Sequence, residues 1–433
     1  MSQFTPSAVA QRSAKQAIGY LMQQGIENAD CLSLAAGFVD LESLPVELVR
    51  AAANDIFSDN NGKGVLQYGT TQGVPSVRET MRAYLSGLEH CEPDAIPLDQ
   101  IMLTTGSQQL LSLLAQAVFN AGDICLVAAP TYFVFLGVLD SVGAEVIAVD
   151  TDDDGMCPQA LDRILGELNE LGQIHRVRMV YVVSYHDNPA GITVSEQRRP
   201  RLLEVVRKWS SDHTIYLLED AAYRELCFDD VMLPSIWSYD RGFQDPDADT
   251  QQVILSQTFS KSFSPGVRVG LGILPQELVK PVSDLKGNED FGSANLNQHL
   301  MASVHHSGAY SRHVDTLREK YRAKRDAVLA AAEEYFADLD GVSWRTPRGG
   351  LYVWMTLPEQ IATGFDSPLF TRATRAHKVM YVPGELCYPS ADQNRPRNQM
   401  RLSFGVLQPA DLREGMRRLS LTVKEQIQEQ GLV

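Results

Sequence analysis

Short, almost uninterrupted apolar runs alternate along this chain with longer stretches whose apolar positions fall three and four apart. Ile101-Met-Leu precedes Gln108-Gln-Leu-Leu-Ser-Leu-Leu-Ala-Gln-Ala-Val-Phe119, which has helical spacing. Ile124-Cys-Leu-Val, a helix-like Tyr132 to Val142, Glu145-Val-Ile-Ala-Val and Val177-Arg-Met-Val-Tyr-Val-Val183 continue the pattern. Thr193-Val-Ser-Glu196 reads as a capping box opening the next helix. Ile215-Tyr-Leu-Leu and Val253-Ile-Leu complete the series. Strands that are apolar at every position have both faces buried. The pattern therefore predicts an α/β fold with a mostly parallel sheet covered by helices, over roughly 95 to 275.

The texture then changes. Positions 300–340 are helical and charged, and Gly349-Gly-Leu-Tyr-Val-Trp-Met355, Val379-Met-Tyr-Val382 and Met400-Arg-Leu-Ser-Phe404 read as short strands. The expected organisation is an N-terminal arm over 1–45, a large domain over 46–300 and a smaller α+β domain over 301–433.

Composition narrows the function classes. With 44% hydrophobic residues among 433, the chain can bury a large core. Its net charge of −16, without a basic cluster, excludes nucleic acid and anionic membrane as expected partners. No apolar run approaches the roughly 20 residues of a membrane span, and the start MSQFTPSAVAQRSAK lacks the apolar core of a signal peptide. Six scattered cysteines without a CxxC pair suggest reduced thiols and a cytoplasmic protein.

In an open α/β sheet, ligands bind beyond the carboxyl ends of the strands, and here those ends carry the chemistry. Thr104-Thr-Gly-Ser107-Gln108 follows the first run and places Ser107 and Gln108 at a helix N-terminus, where free N–H groups favour an anion. Pro130-Thr-Tyr132, His186-Asp-Asn188-Pro, Glu219-Asp220-Ala-Ala-Tyr223 and Thr258-Phe-Ser-Lys261 follow the others. An anion site, a flat ring, an amide, a carboxylate with a phenol, and an amine suit pyridoxal 5′-phosphate (PLP). Arg268 and nearby hydroxyls suit its phosphate.

These motifs resemble the fold-type I, class I/II aminotransferases, most closely the branch with the 2-aminoadipate and kynurenine enzymes. The resemblance runs from LSLAAG at Leu32 to MRLSFG at Met400. It implies a PLP enzyme moving an amino group from an amino acid to a 2-oxo acid by a ping-pong mechanism. The cofactor motifs are shared with lyases, synthases and oxidases of the same fold type. Lys261 would be the Schiff-base lysine and catalytic base, and Asp220 the partner of the pyridinium nitrogen. Asn188 and Tyr223 would bond the phenolic oxygen, and Tyr132 would stack on the ring. Ser107, Gln108, Thr258 and Arg268 would hold the phosphate. Gly37 would line the substrate pocket and Arg401 would clamp the substrate α-carboxylate. Tyr68, in Leu66-Gln-Tyr-Gly-Thr-Thr-Gln-Gly73, would reach the phosphate of the neighbouring subunit in a homodimer. Two departures stand out: Asn188-Pro-Ala-Gly191 lacks the usual threonine, and His186-Asp187 before it is an unfamiliar pair. Relatives taking acidic substrates use an arginine on a mobile N-terminal helix. Arg12 and Lys15 occupy that neighbourhood, without a register that supports a dicarboxylate preference.

Other motifs carry less. Asp150 to Gly155 begins like a calcium loop, but its twelfth position is Leu161. Gly266-Val-Arg-Val-Gly-Leu-Gly272 lacks dinucleotide spacing, and Asn60-Asn-Gly-Lys-Gly64 is not a P-loop. Adjacent His305 and His306 do not suit one metal ion and read as solvent-facing, and no metal is expected.

Overall fold

The structure, a computed structural model, describes residues 4–14, 17–58, 62–229, 232–240 and 251–432. In chain order its strands are β1 (Leu32–Ser33), β2 (Ile101–Thr104), β3 (Ile124–Ala129), β4 (Glu145–Asp152), β5 (Gly155–Met156), β6 (Val177–Val183), β7 (Tyr216–Asp220), β8 (Val253–Thr258), β9 (Gly270–Ile273), β10 (Ser343–Trp344), β11 (Tyr352–Thr356), β12 (Val379–Met380), β13 (Val382–Pro383) and β14 (Gln399–Ser403). Eight of them form one sheet in the order β2-β9-β8-β7-β6-β3-β4-β5.

From β8 to β4 every neighbouring pair is parallel, as the continuous apolar runs predict. Alternate residues show why polar positions are missing. Cys125, Val127, Met179, Tyr181, Leu218 and Ile254 pack into one core layer. Leu126, Val180, Leu217, Val253 and Leu255 pack into the other. Successive side chains of a strand point to opposite faces, so a strand covered on both sides needs apolar residues throughout.

The sequence pattern did not reveal β9, a short strand with two glycines that runs antiparallel to both β2 and β8. Two reversals restore the direction, so β2 runs the same way as β8. The carboxyl ends of β2, β3, β6, β7 and β8 therefore open on one edge of the sheet.

A second, antiparallel sheet has the order β10-β11-β14-β13. The arm joins this half of the molecule, because β1 pairs in parallel with β12. It is pinned at Asp40, whose carboxylate meets Nζ of Lys324 at 3.0 Å and accepts from Gln408 at 3.2 Å.

Three expectations need correction or placing. Thr193 does not open a helix: the helix begins at Arg198, and the Thr193 hydroxyl bonds the backbone N–H and ring Nδ1 of His186, both at 3.0 Å. A hydroxyl engaged inside a loop cannot cap. His305 does not face solvent, because its ring centroid lies 4.2 Å from that of Tyr310 and its Nε2 is buried. Burial holds its pKa down to about 4, with the charge of His306 adding. Asp150 to Gly155 spans the β4–β5 hairpin, with Asp152 paired to Arg198 at 2.6 Å. Lys15, Asn60 and Asn61 lie outside the described residues.

Candidate active site

The sheet edge opens into a cavity of about 600 Å³. Eleven of the twelve site residues expected from sequence line it: Gly37, Ser107, Gln108, Tyr132, Asn188, Asp220, Tyr223, Thr258, Lys261, Arg268 and Arg401. The twelfth, Tyr68, is not in that lining. Its side chain is 83% exposed, with its ring 6.1 Å from that of Phe291.

One end of the cavity gathers a guanidinium, hydroxyls and a helix N-terminus, and β9 explains how. Gly270 pairs with Thr104 on one side and Thr258 on the other. The residues entering β9 thus lie between the ends of two parallel-running strands. Arg268, in left-handed backbone with φ 53°, directs Nη2 to the carbonyl of Thr105 at 3.2 Å and Nη1 to the Ser260 hydroxyl at 3.3 Å. Glycine is required at this junction. A Cβ on Gly106, at φ +72°, would stand 2.6 Å from Nη2 of Arg268, and one on Gly270 would stand 2.6 Å from the Ser107 nitrogen. The helix Ser107–Val118 starts here, and its first N–H groups are free of intrahelical partners. The Thr258 and Ser260 hydroxyls bond each other at 3.0 Å.

At the other end stands Asp220, the last residue of β7, buried to 3% exposure. Tyr181 donates its phenol to Oδ2 at 3.0 Å, and Ala222 its N–H to Oδ1 at 3.2 Å. Burial nevertheless raises the carboxyl to about 6, with neighbouring Glu219 adding, because no cation faces it among the described residues. Tyr223 and Asn188 approach each other at 3.5 Å, the outer limit of a hydrogen bond, and the Tyr223 hydroxyl meets that of Tyr352 at 3.1 Å.

Lys261 follows β8 and projects between these two ends. Its Nζ donates to the carbonyl of Gly37 at 2.8 Å and sits 6.0 Å from the Tyr223 ring centroid. Burial lowers its pKa, and the positive charges of Arg401 and Arg268 push the same way, against Tyr352. Arg401, on β14, is 2% exposed. It donates to Oδ1 of Asn188 and to the carbonyl of Ala35, both at 2.8 Å, while its guanidinium lies 4.4 Å from the Tyr352 ring centroid.

His186 and Asp187 do not line this cavity. His186 is buried and kept neutral, its pKa pushed down to about 3 by burial and the charge of Arg199. Asp187 shapes the turn instead, its Oδ1 accepting the N–H of Ile192 at 2.6 Å and its carbonyl that of Gly191 at 2.9 Å. Burial raises its carboxyl to about 7.

Three cavity or supporting groups escaped sequence reasoning. Ser260 lies inside the lysine motif, and its neighbours could have signalled it. Tyr352 follows a Gly-Gly pair on a strand and reads as core. Tyr181 sits in the middle of an apolar run with no local signal at all.

A family model described as aminotransferase class I and II matches residues 29–419. The aromatic-amino-acid aminotransferase 1 of Thermococcus litoralis is 33% identical over 406 residues, covering 93% of this chain and 90% of that protein. The crystal structure of a multiple substrate aminotransferase from Thermococcus profundus has a TM-score of 0.86 at 33% identity, over 98% of both chains. A kynurenine aminotransferase from Pyrococcus horikoshii, crystallised with PMP, KYN and KYA, has a TM-score of 0.86 at 31% identity, again over 98% of both.

Proposed function

The chain belongs to the class I and II aminotransferases, in the branch with the 2-aminoadipate and kynurenine enzymes, and within that family we propose a role for each group in its cavity. Its activity is PLP-dependent transamination, from an amino acid to a 2-oxo acid. The bound cofactor supplies a pyridinium ring that takes up the electrons left behind when a proton leaves the substrate Cα. The residues present fit that group. Oε1 of Gln108 and Nε of Arg401 are buried without hydrogen-bond partners, the first turn of the helix Ser107–Val118 brings N–H groups without intrahelical partners beside Arg268, and Asp220 is a buried carboxylate facing no cation among the described residues.

Lys261 is the covalent anchor and the base. Its lowered pKa favours the unprotonated amine, the form that would take a proton from the substrate Cα. Asp220 keeps the ring nitrogen charged, and a cation there would in turn draw the carboxyl back toward its ordinary pKa. Asn188 and Tyr223 hold the ring's phenolic oxygen, and Tyr132 packs on its face. Ser107, Gln108, Thr258 and Arg268, together with Ser260, hold the phosphate. Arg401 grips the substrate α-carboxylate through its two-pronged guanidinium and so orients the Cα–H bond. Gly37 lends its carbonyl to Lys261 and leaves room for the substrate.

We further assign 46–300 as the cofactor domain, 301–433 as the small domain and 1–45 as an arm. We also read the enzyme as a cytoplasmic homodimer. No disulfide joins any of its six cysteines, and no helix among the described residues is long and apolar enough to cross a membrane. Phe38, Leu41, Val46, Leu66, Tyr68 and Phe291 are each more than half exposed, and a second copy would cover them.

The observation that carries the assignment is the lysine amine held inside the cavity that also contains Asp220. Borohydride reduction of the holoprotein, followed by peptide mapping, should place a pyridoxyl group on Lys261. A pyridoxyl group on any other lysine would overturn the assignment.

A further inference from the structure

Once the groups assigned to cofactor and α-carboxylate are set aside, the remaining wall of the cavity is overwhelmingly carbon. It includes Ile18, Leu21, Met22 and Ile26 of the helix Ala17–Glu27, together with Phe133 and Met380. Positions 18, 21, 22, 25 and 26 repeat at helical spacing, so one face of this helix is turned into the cavity. At Gly25 the helix comes close to Met380, since a Cβ there would stand 3.9 Å from its Cε. Leu21 is buried, but Met22 is 56% and Ile26 78% exposed, so this apolar face is only partly covered in the free chain. The polar side chains left in the wall are Ser33 and Tyr352, and the Tyr352 hydroxyl already meets Tyr223.

Of the two basic residues that precede this helix, Lys15 lies outside the described residues and Arg12 is engaged elsewhere. Nε of Arg12 donates to the carbonyl of Ser141 at 2.9 Å, in the last turn of the helix Phe133–Val142.

We propose that the amino donor carries an apolar or aromatic side chain, with Ile18, Leu21, Met22 and Ile26 as the specificity-determining residues that discriminate against a side-chain carboxylate. The inference rests on the transaminase reading and deepens it. A side chain of carbon gains by leaving water against this wall. A carboxylate in the same place loses its water and, among the described residues lining the cavity, meets no cation beyond those assigned to the cofactor and the α-carboxylate.

The experiment is the isolated first half-reaction. Holoprotein is mixed with L-phenylalanine, L-leucine, L-glutamate or L-2-aminoadipate, without an acceptor, and conversion of the visible cofactor absorption to the pyridoxamine form is followed. The apparent second-order rate constants for phenylalanine and leucine should exceed those for the two dicarboxylic acids at least tenfold. M22R and, independently, I26R should shift that ratio at least tenfold toward glutamate, while M22L leaves it unchanged. Both positions are exposed enough to accept arginine without disturbing the core. Glutamate reacting as well as phenylalanine in the parent protein would overturn the inference and leave the transaminase reading intact. So would an unchanged ratio in both arginine variants. Failure of every amino acid to convert the cofactor would overturn both together.

Discussion

The phenol of Tyr181 donates to Oδ2 of Asp220 at 3.0 Å across two neighbouring strands, with both residues buried. The register sets Tyr181 opposite Leu218 and Val183 opposite Asp220, so the contact is a diagonal one on a single face of the sheet. It gives the carboxylate one of its two donors. Tyr181→Phe keeps the ring and its packing on Phe135, whose centroid lies 4.3 Å away, and removes only the O–H. A hydrogen bond to a charged group contributes about 1.5–3 kcal/mol. PLP affinity should therefore fall about 10- to 100-fold by spectrophotometric titration of the apoprotein. The acidic limb of the kcat/KM profile should also move to higher pH, because the charged carboxylate has lost a donor. If neither quantity changes, the phenol serves packing alone.

Asp220 is expected to cost the cofactor-free protein stability. Burial lifts its carboxyl from the ordinary 3.8 to about 6. The contribution of this group to stability is thus complete below pH 3.8 and is lost as the pH rises through about 6. At neutral pH the loss is on the order of 3 kcal/mol. Apo Asp220→Asn should be more stable than the parent near pH 8 and should lose that advantage near pH 4, as measured by denaturant unfolding. Its amide oxygen still accepts from Tyr181, and its transaminase activity should collapse. A stability difference independent of pH would show that ionisation of Asp220 is not its origin.

Much of this candidate site was legible in the sequence because most of the residues proposed for it follow apolar runs. Asn188, Asp220, Thr258 and Lys261 interrupt or follow such runs, and the fold needs only to bring strand ends together. Tyr181 could not be found this way, because its role depends on which residue of β7 it faces, and register is not a local property. β9 was missed for a related reason: two of its four residues are glycine, and it carries no β-branched run. Yet β9 is what delivers Arg268 between Thr104 and Thr258. The capping-box reading of Thr193 failed because its hydroxyl had a competing partner in His186, distant in local pattern but adjacent in the folded loop.

The arm bearing Gly37 depends on the buried pair of Asp40 and Lys324, whose side chains are each 4% exposed. Lys324→Met leaves the carboxylate without the cation it is paired with, Lys320 acting on it only through its charge, and breaking a buried pair from one side costs about 3–5 kcal/mol. Ser43 and Gln408 still donate to Asp40, at 2.5 and 3.2 Å, so the lower end of that range is expected. Denaturant unfolding reads the loss. Adding Asp40→Asn to Lys324→Met should recover part of it, because the unpaired charge is gone. A double variant no more stable than the single one would mean that lost packing, and not charge, is responsible.

Tyr68 offers a direct way to ask whether two chains share each site. Suppose every site takes Lys261 from one subunit and Tyr68 from the other. A mixed dimer of Tyr68→Ala and Lys261→Ala chains then holds one intact site and one that lacks both groups. Random pairing of equal amounts makes half the dimers mixed, so about a quarter of all sites are intact. Co-refolding two variants that are each nearly inactive should thus restore about a quarter of the parent activity. The recovered sites should show the parent KM. If Tyr68 acts within its own chain, each chain carries one broken site whatever its partner, and mixing restores nothing above the average of the two variants.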